Sequence, residues 1–227
     1  MTNQKYEIPN VTLIKEGDGR YKFSSLDGVV ELPSWKDFQR KFGQYATLKS
    51  NDDYKRISLR IGGDEVVENP VITKEHVTGY DYLLQNQTRI QESMLNALFI
   101  EYPKLQEQYN YDDDEKELMP DVESIKSFTG LIELSSVYIF NVSKEGVPYI
   151  GFSFWCTWDD EHGLGIMTHK DRVVEIGGSD TAFLTWIAQK DLSPKTVNSE
   201  PELKRQFTDE KLNPVKPNKH KPWWKFW

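Results

Sequence analysis

The sequence predicts an α+β fold in which an antiparallel sheet packs against one long helix and shorter helices. Side chains alternate between two faces over residues 138–158, a period that is typical of strands. Between Val77 and Gln108, apolar residues instead recur every three or four positions, which is typical of an amphipathic helix. The chain has 227 residues, of which 37% are hydrophobic, so a real core can form. We predict one α+β domain over 1–191 and a Pro/Lys-rich tail over 192–227.

Strands and turns are predicted for the N-terminal third of the chain. Val11–Lys15 is followed by the turn sequence Glu16-Gly17-Asp18-Gly19, and Ile57–Ile61 alternates apolar with polar residues. The dipeptide Asp27-Gly28 predicts a turn between strands, because it tolerates a positive φ. The segment Trp35–Phe42 is compatible with either a short helix or an irregular excursion.

The long helix is predicted from apolar residues that lie on one face, namely Leu83, Ile90, Met94, Ala97 and Leu98. Pro103 lacks a backbone donor and clashes with the preceding turn, so it is expected to kink or interrupt this helix. A shorter helix is predicted over Asp121–Phe128, with an acidic residue at its start.

The clearest strand pattern follows the predicted turn Lys144-Glu145-Gly146 and places on one face Ile150, Phe152, Phe154, Cys156 and Trp158. Further strands are predicted over Leu164–Thr168 and Arg172–Ile176, joined near His169. Ser179 or Asp180 is then expected to cap a final helix.

A polar loop between the aromatic strand and the next strand contains the candidate catalytic residues Asp159, Glu161 and His162. Together with His169 they are of the types that bind a divalent metal, and a metal-bound water is a hydrolytic nucleophile. The two histidines are seven residues apart across a hairpin, which is not the spacing of a known metal motif. In the alternative interpretation, which we favour, Asp159 starts a turn, Gly163 accepts an unusual backbone angle, and His162 bonds locally.

Cys156 is the only cysteine, which excludes an intrachain disulfide and a multi-cysteine metal site. Its position on the aromatic face predicts a core residue, because a reactive thiol needs exposure and a base. No nucleotide-binding glycine motif is present, so no cofactor is predicted except a possible divalent metal.

Charge is distributed unevenly along the chain, whose formal net charge is −8. Residues 201–227 contain seven Lys/Arg and three Asp/Glu, or +4, whereas residues 1–200 contain 21 Lys/Arg and 33 Asp/Glu, or −12. The acidic body argues against nonspecific nucleic-acid binding and favours a basic protein partner. The sequence also lacks the apolar runs of a secretory signal or a membrane span, which predicts a cytoplasmic protein.

The tail contains a cluster of aromatic residues among lysines: Trp223, Trp224, Phe226 and Trp227. Such residues dock either on a protein surface or at a membrane interface, where rings lie at the level of the headgroups. Because no sustained amphipathic helix is evident, we favour docking on protein over membrane contact.

The segment Trp158–Gly165 resembles a bacterial family of unknown function whose members share a Trp-Asp-x-Glu-His-Gly-Leu-Gly signature. Leu32–Trp35 and Phe99–Tyr102 are also similar to that family, and the resemblance covers roughly Ile8 to Asp191. The family has no established catalytic residues that this resemblance could assign to the chain. Domains of this kind are suspected of acting as immunity proteins beside bacterial toxins, and this resemblance implies a toxin-binding role only by analogy.

Three functions follow as hypotheses. The leading one is a cytoplasmic, noncatalytic protein-binding domain, such as an immunity protein that neutralises a basic toxin. The first alternative is a metal-assisted hydrolase that uses Asp159, Glu161 and His162. The second is a peripheral membrane protein anchored by its Trp-rich tail. The sequence leaves the oligomeric state open.

Overall fold

A computed structural model describes residues 5–16, 23–41, 56–112 and 115–193. These residues form seven strands and two α-helices: β1 Thr12–Glu16, β2 Phe23–Val30, β3 Ile57–Ile61, α1 Lys74–Tyr109, β4 Ile132–Lys144, β5 Val147–Cys156, β6 Leu164–His169, β7 Arg172–Gly177 and α2 Thr185–Leu192. Short 3₁₀ helices occupy Pro33–Trp35, Ile125–Gly130 and Ser179–Ala182.

All seven strands belong to one sheet, and their order in the sheet is their order in the chain. Neighbouring strands are antiparallel except β3 and β4, which are parallel. A parallel pair requires a long crossover between its strands, and α1 lies within that crossover. The predicted α+β class is confirmed, with this parallel pair as the exception to an antiparallel sheet.

The two faces of the sheet bury two separate cores, because successive side chains of a strand point to opposite faces. The larger core lies between the sheet and α1 and includes Ile150, Phe152 and Phe154 from β5. The smaller core packs beneath α2 and consists of Phe140, Tyr149, Met167, Ile187 and Ala188. The central strands therefore have almost no exposed face, and every residue of β6 is buried.

A reciprocal pair of hydrogen bonds starts α1. The backbone N–H of His76 donates to Thr73 Oγ1 over 3.4 Å, and the backbone N–H of Thr73 donates to His76 Nδ1 over 3.1 Å. His76 Nε2 lies 3.0 Å from Asn141 Oδ1 of β4. Burial lowers the pKa of His76, which keeps Nδ1 free to accept. At the other end, Asn110 adopts a left-handed conformation (φ 46°) and donates its N–H to Gln106 O.

A kink or an interruption was predicted at Pro103, and the interruption is wrong, because α1 continues through this residue to Tyr109. The neighbouring Tyr102 is fully buried, and its ring packs edge-on against Phe128 and Trp158 at centroid distances of 5.2 and 5.5 Å. This packing anchors the last turns of the helix to the body and offsets the hydrogen bond that proline cannot make.

The predicted turn at Asp27-Gly28 is also wrong, since β2 runs through both residues. Gly28 is needed there for a different reason. A Cβ atom at this position would overlap the carbonyl group of Asn10, which crosses close to the strand. The dipeptide therefore marks a close backbone approach instead of a chain reversal. By contrast, the predicted turn after Lys144 is confirmed, with positive φ at Glu145 and Gly146.

Two predicted helices differ from the structure. The segment predicted over Asp121–Phe128 forms only the 3₁₀ helix Ile125–Gly130. The final helix is not capped by the side chain of Ser179 or Asp180, which belong to a preceding 3₁₀ helix. Instead, the backbone N–H at the start of α2, on Thr185, donates to Asp64 Oδ1 over 2.9 Å. The segment Trp35–Phe42, for which a short helix or an irregular excursion was predicted, is described as far as residue 41; within residues 35–41 only Trp35 is helical, at the end of a 3₁₀ helix.

None of the helices in the described ranges is both long enough and apolar enough to cross a membrane. The tail predicted over 192–227 lies outside the described residues from 194 onward.

The tight packing of β5 against the Ser179–Ala182 helix predicts a large cost for Gly151→Ala. A Cβ atom on Gly151 would overlap the carbonyl oxygen of Ala182, so backbone must move. We expect the free energy of unfolding to fall by about 3 kcal/mol, measured by urea denaturation.

Gly146→Ala is the matched control, because Gly146 has a positive φ of 74° but no atom within 4 Å of the added Cβ. Its expected cost is about 1 kcal/mol, from backbone conformation alone. Equal costs for the two substitutions would contradict the close-packing explanation.

The junction of α2 with the sheet predicts a pH-dependent contribution from Asp191. Arg172 Nη2 and the Tyr149 hydroxyl donate to Asp191 Oδ2 over 2.5 and 2.8 Å. The hydrogen bond from Arg172 is the main cause that lowers the pKa of Asp191 to about 2. Because this is below the ordinary value of about 3.9, the ionised carboxylate stabilises the fold above pH 4, and the contribution disappears as the pH falls towards 2.

Asp191→Asn should therefore lower the free energy of unfolding by about 1 kcal/mol at neutral pH, after allowance for solvent screening. The difference from the unsubstituted chain should shrink as the pH is lowered from about 5 to about 2.5. A difference that is constant over that range, measured by urea denaturation, would show that the charge is not responsible.

Candidate functional site

The loop between β5 and β6 is organised by the carboxylate of Asp159, whose side chain is 8% exposed. Its Oδ1 accepts hydrogen bonds from the backbone N–H groups of Glu161 and His162 over 3.2 and 2.8 Å. The ring Nδ1 of His162 lies 3.2 Å from the same oxygen. Its Oδ2 accepts from the hydroxyl of Tyr109, at the end of α1, over 2.8 Å. Both oxygens are thus engaged in holding the loop and fixing it to the long helix.

The next carboxylate, Asp160, forms an ion pair with Arg40, whose side chain is only 2% exposed. Arg40 Nη1 also donates to the carbonyl oxygen of Cys156 over 3.4 Å, and its guanidinium lies 5.5 Å from the ring centroid of Trp155. A buried guanidinium requires a compensating negative charge. Asp160 supplies that charge and ties the segment before residue 42 to the end of β5.

Glu161 and His162, like Asp160, are exposed. The side chain of His162 is 44% exposed. The backbone carbonyl oxygen of His162 accepts a hydrogen bond from the Ser179 N–H over 2.9 Å. The loop backbone therefore also holds the start of the 3₁₀ helix Ser179–Ala182.

The structure places His169 at the other end of β6, about 16 Å from the start of that strand by its rise per residue. Its Nε2 lies 3.0 Å from Lys144 O, and its ring packs 5.0 Å from that of Tyr149. His169 is 5% exposed and belongs to the packing at the β4–β5 turn. It is not brought together with His162.

A metal site needs several ligand side chains that converge on one point. Across the described ranges, no group of three or more His, Cys, Asp or Glu side chains is placed to hold a metal ion. The side chains of Asp159 and His162 are adjacent, but the oxygens of Asp159 already accept three hydrogen bonds, from the Tyr109 hydroxyl and two backbone N–H groups. The catalytic role of Asp159, Glu161 and His162, and their metal-binding role together with His169, stay predictions.

The prediction that Cys156 packs in the core is confirmed. Its side chain is fully buried, and Sγ lies 3.5 Å from the carbonyl oxygen of Asp159. Burial raises the pKa of the thiol far above its ordinary range, and the charge of Asp159 raises it further. Cys156 therefore stays a neutral thiol and lacks the thiolate character of a nucleophile.

The two glycines of the loop segment satisfy separate backbone requirements. Gly163 has a φ of 62°, which only glycine adopts without strain, and its N–H donates to Asp159 O over 3.1 Å. Gly165 lies so close to the 3₁₀ helix that a Cβ atom would overlap the carbonyl oxygen of Gly178. The segment Trp158–Gly165 is thus built to join β5, β6 and the Ser179–Ala182 helix.

Sequence reasoning missed the tyrosines that complete this arrangement. The hydroxyl of Tyr111 donates to the carbonyl oxygen of Trp158, beside the bond from Tyr109 to Asp159. Burial is the main cause that raises the pKa of Tyr111 to about 12, and the charges of Asp159 and Glu115 raise it further. The spacing Tyr109-x-Tyr111 at the end of an amphipathic helix was a possible signal, whereas nothing in the sequence indicated Arg40.

A shallow depression of about 480 Å³ lies beside these tyrosines. Its lining consists of Gln106, Tyr111, Lys116, Glu117, Met119, Pro120 and Asp121. Exposed carboxylates occur along the chain segment that lines it and in the β5–β6 loop, and we call the set the acidic end surface: Glu107, Asp112, Glu115, Glu117, Asp121, Glu123, Asp160 and Glu161. The charges of Glu115 and Asp160 both act on the Tyr111 hydroxyl, which shows that the two parts of this surface adjoin.

The predicted docking residues Trp223, Trp224, Phe226 and Trp227 lie outside the described residues.

Asp159→Ala is expected to lower the free energy of unfolding by about 3 kcal/mol, because it leaves the Tyr109 hydroxyl and two backbone N–H groups without their acceptor. Glu161→Ala, in the same loop but exposed, should change it by less than about 0.5 kcal/mol. Thermal and urea unfolding measure both. Similar small losses in the two variants would show that Asp159 does not organise the loop.

Comparison with known proteins identifies a family but no characterised relative. Residues 29–184 match the family described as "Domain of unknown function (DUF6985)", and the matched range includes the whole segment Trp158–Gly165. No curated protein matches the chain, and neither does any solved structure. Since the match spans more than half of the 227 residues, the chain belongs to the DUF6985 family of domains of unknown function.

Proposed function

We propose that this chain is a noncatalytic protein-binding domain whose acidic end surface binds a basic region of another protein. The observation that supports it is the contrast between two sets of carboxylates. Asp159 is 8% exposed and engaged within the loop, whereas the carboxylates of the acidic end surface are exposed, including Asp160, which also pairs with Arg40. Exposed charges of one sign are available for complementary recognition and accelerate association.

The composition of the depression suits a basic segment that also carries apolar groups. Met119, Pro120 and the ring of Tyr111 offer apolar contact, and Glu117 and Asp121 line the same depression. A lysine or arginine side chain has this dual character, with an apolar stem and a charged head. Lys116 is the only basic residue in the described parts of the segment 106–123, where six residues are acidic.

The proposed partner is a basic toxin, so that the domain acts as an immunity protein. This identification rests on the resemblance of Trp158–Gly165 to a bacterial family with suspected immunity roles, together with the charge of −12 over residues 1–200. It predicts that the partner is encoded by a gene adjacent to that of the domain, which can be tested.

The test compares two double charge reversals for binding to the products of neighbouring genes. Glu117→Lys with Asp121→Lys alters the acidic end surface, and we expect the association rate to fall about tenfold at low salt. Glu68→Lys with Glu92→Lys is the matched control, because it makes the same change in charge at exposed positions outside that surface. Its rate should fall about twofold or less, owing to net charge alone.

Surface plasmon resonance over a range of salt concentrations measures both rates, and the difference between the variants should narrow as salt screens the charges. If no neighbouring gene product binds at low or moderate salt, the immunity role is refuted. Equal losses in the two double variants would refute the assignment to the acidic end surface.

A further inference from the structure

A second surface lies where the sheet ends at β1. In the described part of the chain, β1 pairs with β2 only, so its outer side carries backbone N–H and C=O groups without a strand partner. Such an edge is a template for another strand. β1 contains no proline, and its register with β2 has no irregularity that would turn the edge away. Its exposed side chains include Leu13 at 47% and Ile14 at 36%.

A cleft of about 690 Å³ adjoins this edge on the face of the sheet that carries Leu13. Leu13 lies directly opposite Leu26 of β2, and both line the cleft. Its other walls are mainly apolar and include Ile8, Val11 and Val71, the last of which is 68% exposed. The volume falls within the range of about 300–1,000 Å³ that is usual for binding clefts.

The cleft has almost no net charge. Its two charged residues, Lys5 and Glu7, form an ion pair of 2.8 Å between Nζ and Oε1. An occupant therefore gains from apolar side chains and not from charge. This distinguishes the cleft from the acidic end surface, which lies beside Gln106 at the far end of α1. Ile72 of the cleft precedes α1, and the rise of the helix separates the two ends by about 50 Å.

From this geometry we propose that β1 and its cleft bind an extended segment of a partner protein as an eighth strand. The backbone of the segment pairs with the free edge of β1, and every second side chain, which must be apolar, enters the cleft. A second copy of β1 suits the cleft less well. Residues two apart share a face, so Lys15 would accompany Leu13 on the apolar side.

The test uses the full chain and a blocked synthetic heptapeptide, Lys-Val-Thr-Val-Thr-Val-Lys, as the probe. Titration followed by NMR should shift the backbone amide signals of Thr12 to Lys15, and the peptide should slow hydrogen exchange at the alternate amides that point away from β2. A peptide of the same sequence that is N-methylated at alternate residues cannot donate the ladder hydrogen bonds, and it should bind at least about tenfold more weakly.

Two exposed positions on opposite faces of β1 provide a matched pair of variants. Leu13→Ser removes an apolar wall of the cleft and should weaken binding of the heptapeptide by about fivefold or more. Ile14→Ser removes an exposed apolar side chain from the opposite face, which does not line the cleft, and should leave binding nearly unchanged. Circular dichroism and urea unfolding confirm that both variants are folded.

Four results would overturn the proposal: no binding of the heptapeptide at millimolar concentration, equal binding of the N-methylated peptide, equal losses in the two serine variants, or protection, before peptide is added, of the β1 amides that point away from β2. In the last case, protection that rises with protein concentration identifies a second copy as the occupant. Protection that is independent of concentration identifies a segment of the same chain. None of these four results depends on the acidic end surface, so failure of this proposal can be distinguished from failure of the proposed function.

Discussion

The buried carboxylate of Asp159 is the interaction on which the organisation of this domain most depends. It receives the Tyr109 hydroxyl from the end of α1 and the backbone N–H groups of Glu161 and His162 from its own loop. The loop shape that results presents the His162 carbonyl oxygen to Ser179. One charged acceptor thereby joins the helix on one face of the sheet to the 3₁₀ helix on the other face. Because these hydrogen bonds all meet at one carboxylate, each of them helps to fix the geometry that the others require.

This arrangement gives the first two acidic residues of the loop a structural role. Asp159 and Asp160 stabilise the fold, the first through hydrogen bonds and the second by neutralising Arg40. The two surfaces that we propose for binding are a charged one at the end of α1, which includes exposed residues of this loop, and an apolar one at the β1 edge. They suit different chemistry, because exposed like charges attract a basic partner while an unpaired strand edge recognises backbone. We therefore propose a protein-binding role in place of hydrolysis in the loop.

Local patterns in the sequence were sufficient for much of the fold. The alternation over residues 150–158 predicted β5 and the burial of Cys156, since strand geometry alone decides which side chains share a face. The spacing of Leu83, Ile90 and Met94 predicted the buried face of α1 for the same kind of reason. Within the loop, the turn-forming role of Asp159 was also predictable, because its bonds to Glu161 and His162 span only two and three residues.

The sequence by itself thus determined the class of fold, the long helix and the strand–loop–strand around Asp159, all of which follow from contacts between near neighbours in the chain. Only the tertiary structure decided that Tyr109 and Arg40 would contact this loop. The same holds for the hydrogen bond that Asp64 accepts from the first N–H of α2, and for the position of Pro103 inside α1. Each of these outcomes depends on residues far apart in sequence, where burial and hydrogen bonding outweigh local preference.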